Sequence, residues 1–188
     1  MPDQTGAKDK VDIYGKRILI IGSGIDLSGR KMGKDIDDGR WDVVIRLNKY
    51  YGMEIDIGHR TDIVFTRWSR WLEEDKFKFF PRHIIEEAKE IIIMNQYLGV
   101  AQSEVEITKQ EIGVESVSIG AMAVAYCLHR GAREVNLIGY GFNGYEFSKE
   151  KRYSENSGYY RGYKDNNPAY NWDKERQYYL NQNKVRFL

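Results

Sequence analysis

Ile18-Leu19-Ile20-Ile21 is a short apolar run that empties directly into the glycine turn Gly22-Ser23-Gly24. An unbroken apolar run of this length, closed by glycine, reads as a strand covered on both faces. Such strands belong to parallel sheets flanked by helices, and a strand–glycine–helix junction lets backbone N–H groups approach a phosphate. The rest of the chain repeats the alternation. Strands are expected over 42–47, 62–66, 91–94 and 135–139. Helices are expected over 28–38 (Ser28 as cap, Gly39 as stop), 84–89, 119–130, and after Pro168 with Trp172, Arg176, Tyr179 and Leu180. Gly120, Val124, Cys127 and Leu128 would share one face of the third helix, and the segment 99–115 reads as partly helical. The pattern gives an α/β fold, a single Rossmann-like domain with a mostly parallel sheet flanked by helices.

At 188 residues one domain can bury a sizeable core. Residues 1–15 read as a polar lead-in, 16–188 as the domain, with a Tyr- and Arg-rich layer from about 145. A net charge of +1 favours neither a nucleic-acid nor a membrane partner in bulk. The single Cys127 excludes an internal disulfide and fits a reducing compartment. No run approaches the roughly 18 apolar residues of a membrane span, so the expectation is a cytoplasmic protein without a membrane span.

The glycine turn does not complete a dinucleotide fingerprint. That motif requires a third glycine and then an acidic residue about 20 positions on, at the end of the second strand. Leu27 stands at the third glycine position, and the second strand ends in Arg46-Leu47-Asn48. Arg46 beside a 2′-phosphate would be the basis of an NADP-dependent oxidoreductase, one alternative carried forward.

The wider pattern resembles the sialyltransferases. Gly22-Ser23-Gly24, Gly33-Lys34-Asp35-Ile36-Asp37, Arg46-Leu47-Asn48 and Asp56-Ile57-Gly58-His59-Arg60-Thr61 are similar, in order, to that family's long motif. Ser116 to Gly120, the Ala-rich helix and Glu134-Val135-Asn136-Leu137-Ile138-Gly139-Tyr140-Gly141 are similar to its short motif. The resemblance implies a glycosyltransferase with a CMP-activated sugar as donor substrate and no separate cofactor. It carries donor-binding roles onto Gly22, Ser23, Gly24, Asn48, Ser118 and Gly120. Asn offers donor and acceptor together, and a helix opening at Ser118 suits an anion.

Asp35-Ile36-Asp37 spells D-x-D, a pattern that elsewhere holds a divalent cation, but here it closes a helix ahead of a strand. It reads as structural, with no metal expected. The resemblance also implies a late H-x-x-x-x-E motif whose histidine deprotonates the acceptor. Tyr170 stands at the histidine position and Glu175 at the glutamate position. A Tyr of ordinary pKa, about 10, is a poor base near neutrality. Either Tyr170 titrates low, or Asp173 or another carboxylate serves, or the chain binds nucleotide without catalysis. His59 and His83 read as loop residues and His129 as a helix-end cation. The family's vertebrate members carry a disulfide between the motifs and a membrane anchor, which makes a Golgi enzyme a poor match.

Acceptor contacts are expected from the aromatic–basic tail, with Tyr159, Tyr160 and Arg161 as candidates. The acceptor is either a glycan or a hydroxymethylated base in DNA. Simple packing of the same residues is the plainest alternative.

Overall fold

The computed structural model describes residues 10–22, 27, 29–48, 54–67, 69, 82–140 and 171–188. Six strands build one sheet: β1 (Arg17–Ile21), β2 (Val43–Leu47), β3 (Ile63–Thr66), β4 (Glu90–Ile93), β5 (Glu134–Ile138) and β6 (Val185–Phe187). Their order is β4-β3-β2-β1-β5-β6, and every pairing is parallel. The chain steps outward from β1 to β4, then returns to lay β5 on the other side of β1. That reversal makes the β1–β5 boundary the topological switch point, where parallel sheets leave a crevice beyond their carboxyl ends.

The helices are α1 (Gly33–Asp37), α2 (Glu54–Ile57), α3 (Arg82–Glu87), α4 (Gln102–Ile112), α5 (Ile119–His129) and α6 (Trp172–Asn181). Alternate strand residues feed two faces. Ile18, Ile20, Ile45, Leu47, Phe65 and Ile92 pack with Val105, Ile112, Met122, Val124 and Tyr179 from α4, α5 and α6. On the other face Leu19, Ile21, Val44 and Ile138 meet Ile36, Trp41 and Ile57. The two covered faces explain why β1 and β2 read as continuous apolar runs.

Several expectations shift. The helix expected over 28–38 forms only over 33–37. Ahead of it Lys31 is left-handed (φ 52°), and the Lys31 and Met32 N–H groups donate to the Oδ1 and backbone O of Asp56 (3.1 and 3.0 Å). Ser28, its expected cap, lies outside the described residues. His83 sits in α3 rather than in a loop. Helix α5 buries Ile119 through Cys127 all the way round, not one face. The ambiguous 99–115 segment contains α4, stopped by left-handed Gly113. Neither four-residue α2 nor three-residue β6 was expected; both are too short to show a period. No helix among the described residues is long and apolar enough to cross a membrane.

Candidate functional site at the carboxyl edge of the sheet

Gly22 follows β1, Asn48 follows β2, Thr66 and Arg67 end β3, and Gly139 and Tyr140 follow β5. The amino end of α5 lies beside them. Gly22 N–H donates to Ile138 O (2.8 Å), and a Cβ on Gly22 would stand 2.5 Å from Gly139 O and 3.2 Å from the Tyr140 ring. Its missing side chain therefore makes room for the neighbouring strand's exit. The Tyr140 ring also leans on Gly120, where a Cβ would come within 3.0 Å, and its hydroxyl donates to Gly120 O (3.2 Å). Edge-on contact with Tyr179, centroids 5.7 Å apart, ties the ring to α6. Two of the predicted glycines thus flank one aromatic spacer. Ser23 and Gly24 lie outside the described residues.

Ser118 caps α5: its Oγ accepts from Ala121 N–H (3.0 Å). Glu175, on α6 and fully buried, accepts from Ser118 N–H (2.7 Å) and from Ser118 Oγ–H (2.6 Å). Two residues predicted separately, one for the donor and one for catalysis, are one hydrogen-bonded pair locking α6 to α5. Burial pushes the Glu175 carboxyl up to about 7, although both Ser118 bonds and the Arg67 charge pull it down. The pair takes up the Ser118 donors. The next two donors of the helix, Ile119 N–H and Gly120 N–H, have no partner among the described residues.

Asn48 adopts the left-handed conformation (φ 57°), and its N–H donates to Phe65 O (3.0 Å). Its Oδ1 is buried and has no hydrogen-bond partner among the described residues; the same holds for the Oγ1 of Thr66, a fully buried side chain. Leu47 pairs with Phe65 in the sheet, so Asn48 and Thr66 are the next step of the same register. Buried polar atoms without partners are uncommon in native folds, and these two sit side by side at the strand ends.

The remaining long-motif residues hold one another. Asp37 Oδ1 accepts from the N–H groups of His59 and Arg60 (2.9 Å each), and His59 Nδ1 is 2.8 Å from Asp37 Oδ2. Gly33 must be glycine, because a Cβ there would overlap Glu54 O at 1.8 Å. Asp35 pairs with Arg40 (2.9 Å). Both carboxylates of the D-x-D thus serve the chain's own donors. Arg46, only 1% exposed, bonds Ile57 O (2.9 Å), Gly58 O (2.8 Å), Arg60 O (3.2 Å) and Thr61 Oγ1 (2.9 Å). This overturns the NADP alternative: Arg46 points into the carbonyls at the end of α2 and not toward a 2′-phosphate.

Among the described residues no three metal-binding side chains come together. His129 closes α5 against Glu111 (3.0 Å), as its helix-end position suggested. Tyr170, Tyr159, Tyr160 and Arg161 lie outside the described residues.

Residues 14–76 match the model of glycosyltransferase family 29 (sialyltransferase). A crystal structure of a mammalian sialyltransferase superposes with a TM-score of 0.58 at 18% identity, covering 93% of this chain and 69% of that one. The chain is sialyltransferase-like in sequence and in fold. A mammalian sialyltransferase in complex with Gal-beta-1-3GalNAc-ortho-nitrophenol gives the same TM-score at 17% identity and the same coverage. No curated protein matches the chain in sequence. The family match ends at residue 76, before α5, and the superposition extends the likeness in fold over 93% of the chain.

Sequence reasoning missed Thr66, Arg67 and Tyr140. Each carried a signal: the first two end an apolar strand at the edge where α/β sites form, and Tyr140 directly follows a strand-end glycine.

Proposed function

We propose that this protein is a sialyltransferase-family glycosyltransferase that moves a sugar from a CMP-activated donor to a glycan hydroxyl. In that reaction the acceptor oxygen bonds the anomeric carbon, the bond from that carbon to the phosphate oxygen breaks, and CMP leaves. The acceptor proton goes to a base, and Tyr170 holds the position where the family places it. The observation that carries the reading is the amino end of α5 beside the switch point, where Ile119 N–H and Gly120 N–H have no partner among the described residues. Those two donors suit phosphate oxygens, and Asn48 at the end of β2 brings an amide that both donates and accepts. A nucleoside monophosphate presents the complementary set of phosphate oxygens, ribose hydroxyls and an amino group.

In this reading Gly22 and Gly120 act through shape, by seating Tyr140, and Ser118 and Glu175 act through the α5–α6 lock. Glu175 is then a positioning residue, since its carboxylate faces Ser118. A glycan acceptor is favoured over a DNA base by the acceptor named for the mammalian structure that shares the fold. A CMP leaving group has one phosphodiester to stabilise, which backbone N–H groups and a cation can do without a metal.

A thermal-shift screen against CMP, CDP, UDP, GDP and NADP tests the donor class. Ligand at 100 times its Kd stabilises by about 2.7 kcal/mol, which raises the Tm of a domain of this size by roughly 5–10 °C. CMP is expected to give that shift and NADP none. A larger response to UDP with Mn²⁺ would replace the CMP reading with a metal-dependent one.

A further inference from the structure

We infer that the cleft where α6 meets α4 and the last turn of α5 is a second carbohydrate site, holding a neutral stretch of the glycan away from the reacting edge; the ligand's class rests on the glycan reading above. The cleft encloses about 560 Å³, within the roughly 300–1,000 Å³ typical of small-molecule sites. One stripe of α6 supplies most of its wall: Lys174, Gln177, Tyr178, Asn181 and Gln182. Their spacing of three and four residues is that of a helix face laid against its neighbours. A face so placed is ordinarily apolar, yet all of these side chains except Tyr178 are amides or an amine. Glu175, next to Lys174, is bonded to Ser118 at the carboxyl edge, whereas the helix ends close to the start of β6. The stripe therefore runs about 12 Å down the helix, away from that edge.

The chemistry of the lining selects the ligand. Its charges are answered from within the chain. Both Glu111 carboxylate oxygens lie 3.0 Å from His129 Nε2, and one also accepts from the Tyr178 hydroxyl (3.4 Å). Lys174 Nζ donates to Gly113 O (2.5 Å) at the carboxyl end of α4, where the helix dipole favours a cation. What remains open is uncharged. Gln177 Nε2 donates to Asn181 Oδ1 (3.0 Å), which leaves Gln177 Oε1 as an acceptor and Asn181 Nδ2 as a donor. Neither atom has a partner among the described residues, nor does the side-chain amide of Gln182. Donors and acceptors without charge match the hydroxyls of a neutral sugar, each of which both donates and accepts. The apolar lining points the same way. Tyr178 and Ile112 show only their edges to the cleft (8% and 7% exposed). That is enough to meet the C–H face of a sugar ring and too little to seat an apolar side chain.

An array of immobilised neutral and sialylated oligosaccharides, probed with the full chain, tests the site. Wild type is expected to bind neutral members. Gln177→Ala combined with Asn181→Ala removes both open amides from exposed helix positions, where alanine leaves the fold intact. The double variant should bind the same neutral oligosaccharides about 10- to 100-fold more weakly, the weight of two lost hydrogen bonds. Its thermal shift with CMP should stay as in wild type. Undiminished oligosaccharide binding in the double variant would put the sugar elsewhere on the molecule and overturn the cleft. So would a wild type that binds no member of the array; its response to CMP then decides separately whether the donor reading stands. A preference for sialylated members that Lys174→Gln abolishes would overturn the neutral class in favour of an acidic one. If wild type binds neutral members through Gln177 and Asn181 yet ignores CMP, the donor reading falls and the cleft stands as a sugar site.

Discussion

The flank that carries the long motif and the crevice beside α5 treat their polar groups in opposite ways. On the flank, Arg46, Asp37 and Asp62 are buried or half-buried, and each is enclosed by the chain's own donors or acceptors. Asp62 alone receives Val44 N–H (2.9 Å), Arg60 (2.8 Å) and Lys89 (2.7 Å). At the ends of β2 and β3 and at the amino end of α5, two side-chain oxygens and two helix N–H groups have nothing to bond among the described residues. A saturated network holds a fold, whereas an unsaturated one is shaped for something that arrives later. The most recognisable stretch of sequence is therefore mostly scaffold, and the positions the proposed donor would meet are single residues at its ends.

The comparison breaks most easily at Arg46. Arg46→Ala would leave three carbonyls and the Thr61 hydroxyl without their donor in a dry interior. Stranding buried acceptors costs about 1–3 kcal/mol each, so the loss should exceed about 3 kcal/mol and show as a lower midpoint in urea unfolding. A fall below about 1 kcal/mol would mean that the flank is not saturated in the way described.

Glu175 sharpens the comparison from the crevice side through pH. Burial pushes its folded carboxyl up to about 7, above its ordinary 4.5. Between those values the folded protein holds a proton that the unfolded chain has released. Stability therefore falls as pH rises from about 4.5 to about 7 and levels off above, by up to about 3 kcal/mol. Glu175→Gln has no proton to lose, so its stability should be flat across that window. Denaturant midpoints at several pH values check the difference in slope; equal slopes would show that Glu175 ionises like an exposed carboxylate.

How much of this was legible in the sequence follows from the same division. Apolar runs and glycine stops announced five of the six strands, because burial on both faces leaves an unmistakable composition. Strand β6 escaped, since three residues at a sheet edge carry no period. The motif positions were visible, but their roles were not. Arg46 as an anion ligand and Arg46 as a carbonyl clamp have the same sequence signature, and only its four partners separate them. Likewise, Ser118 and Glu175 are 57 positions apart, and no local pattern joins them. Thr66 and Arg67 lay in plain sight at a strand end, where their chemistry depends on which loop and helix stand opposite.

Gly120 offers a smaller test of the Tyr140 spacer. Gly120→Ala places a methyl 3.0 Å from Cε1 of Tyr140, a contact the ring must yield to. The expected cost is about 1–2 kcal/mol, typical of overpacking. Tyr140→Leu removes the opposing ring edge, so the two substitutions together should cost less than their sum in a double-mutant cycle on thermal unfolding. Simple additivity would separate Gly120 from Tyr140 and return the glycine's role to ligand approach.

Asn48 should show the smallest effect on stability and so draws the contrast most finely. On the saturated flank every substitution strands a partner. Asn48 Oδ1 has none among the described residues, and its φ of 57° suits glycine at least as well. Asn48→Gly therefore removes a buried, unbonded oxygen and relieves the backbone, while the N–H to Phe65 O is kept. Unfolding stability should stay within about 0.5 kcal/mol of wild type or rise slightly. CMP affinity should nevertheless fall about tenfold, the weight of one lost hydrogen bond to the ligand. Both measurements can be made on one sample by thermal shift with and without CMP. A marked loss of stability with unchanged CMP response would place Asn48 with the scaffold, and the unsaturated edge would shrink to the end of α5.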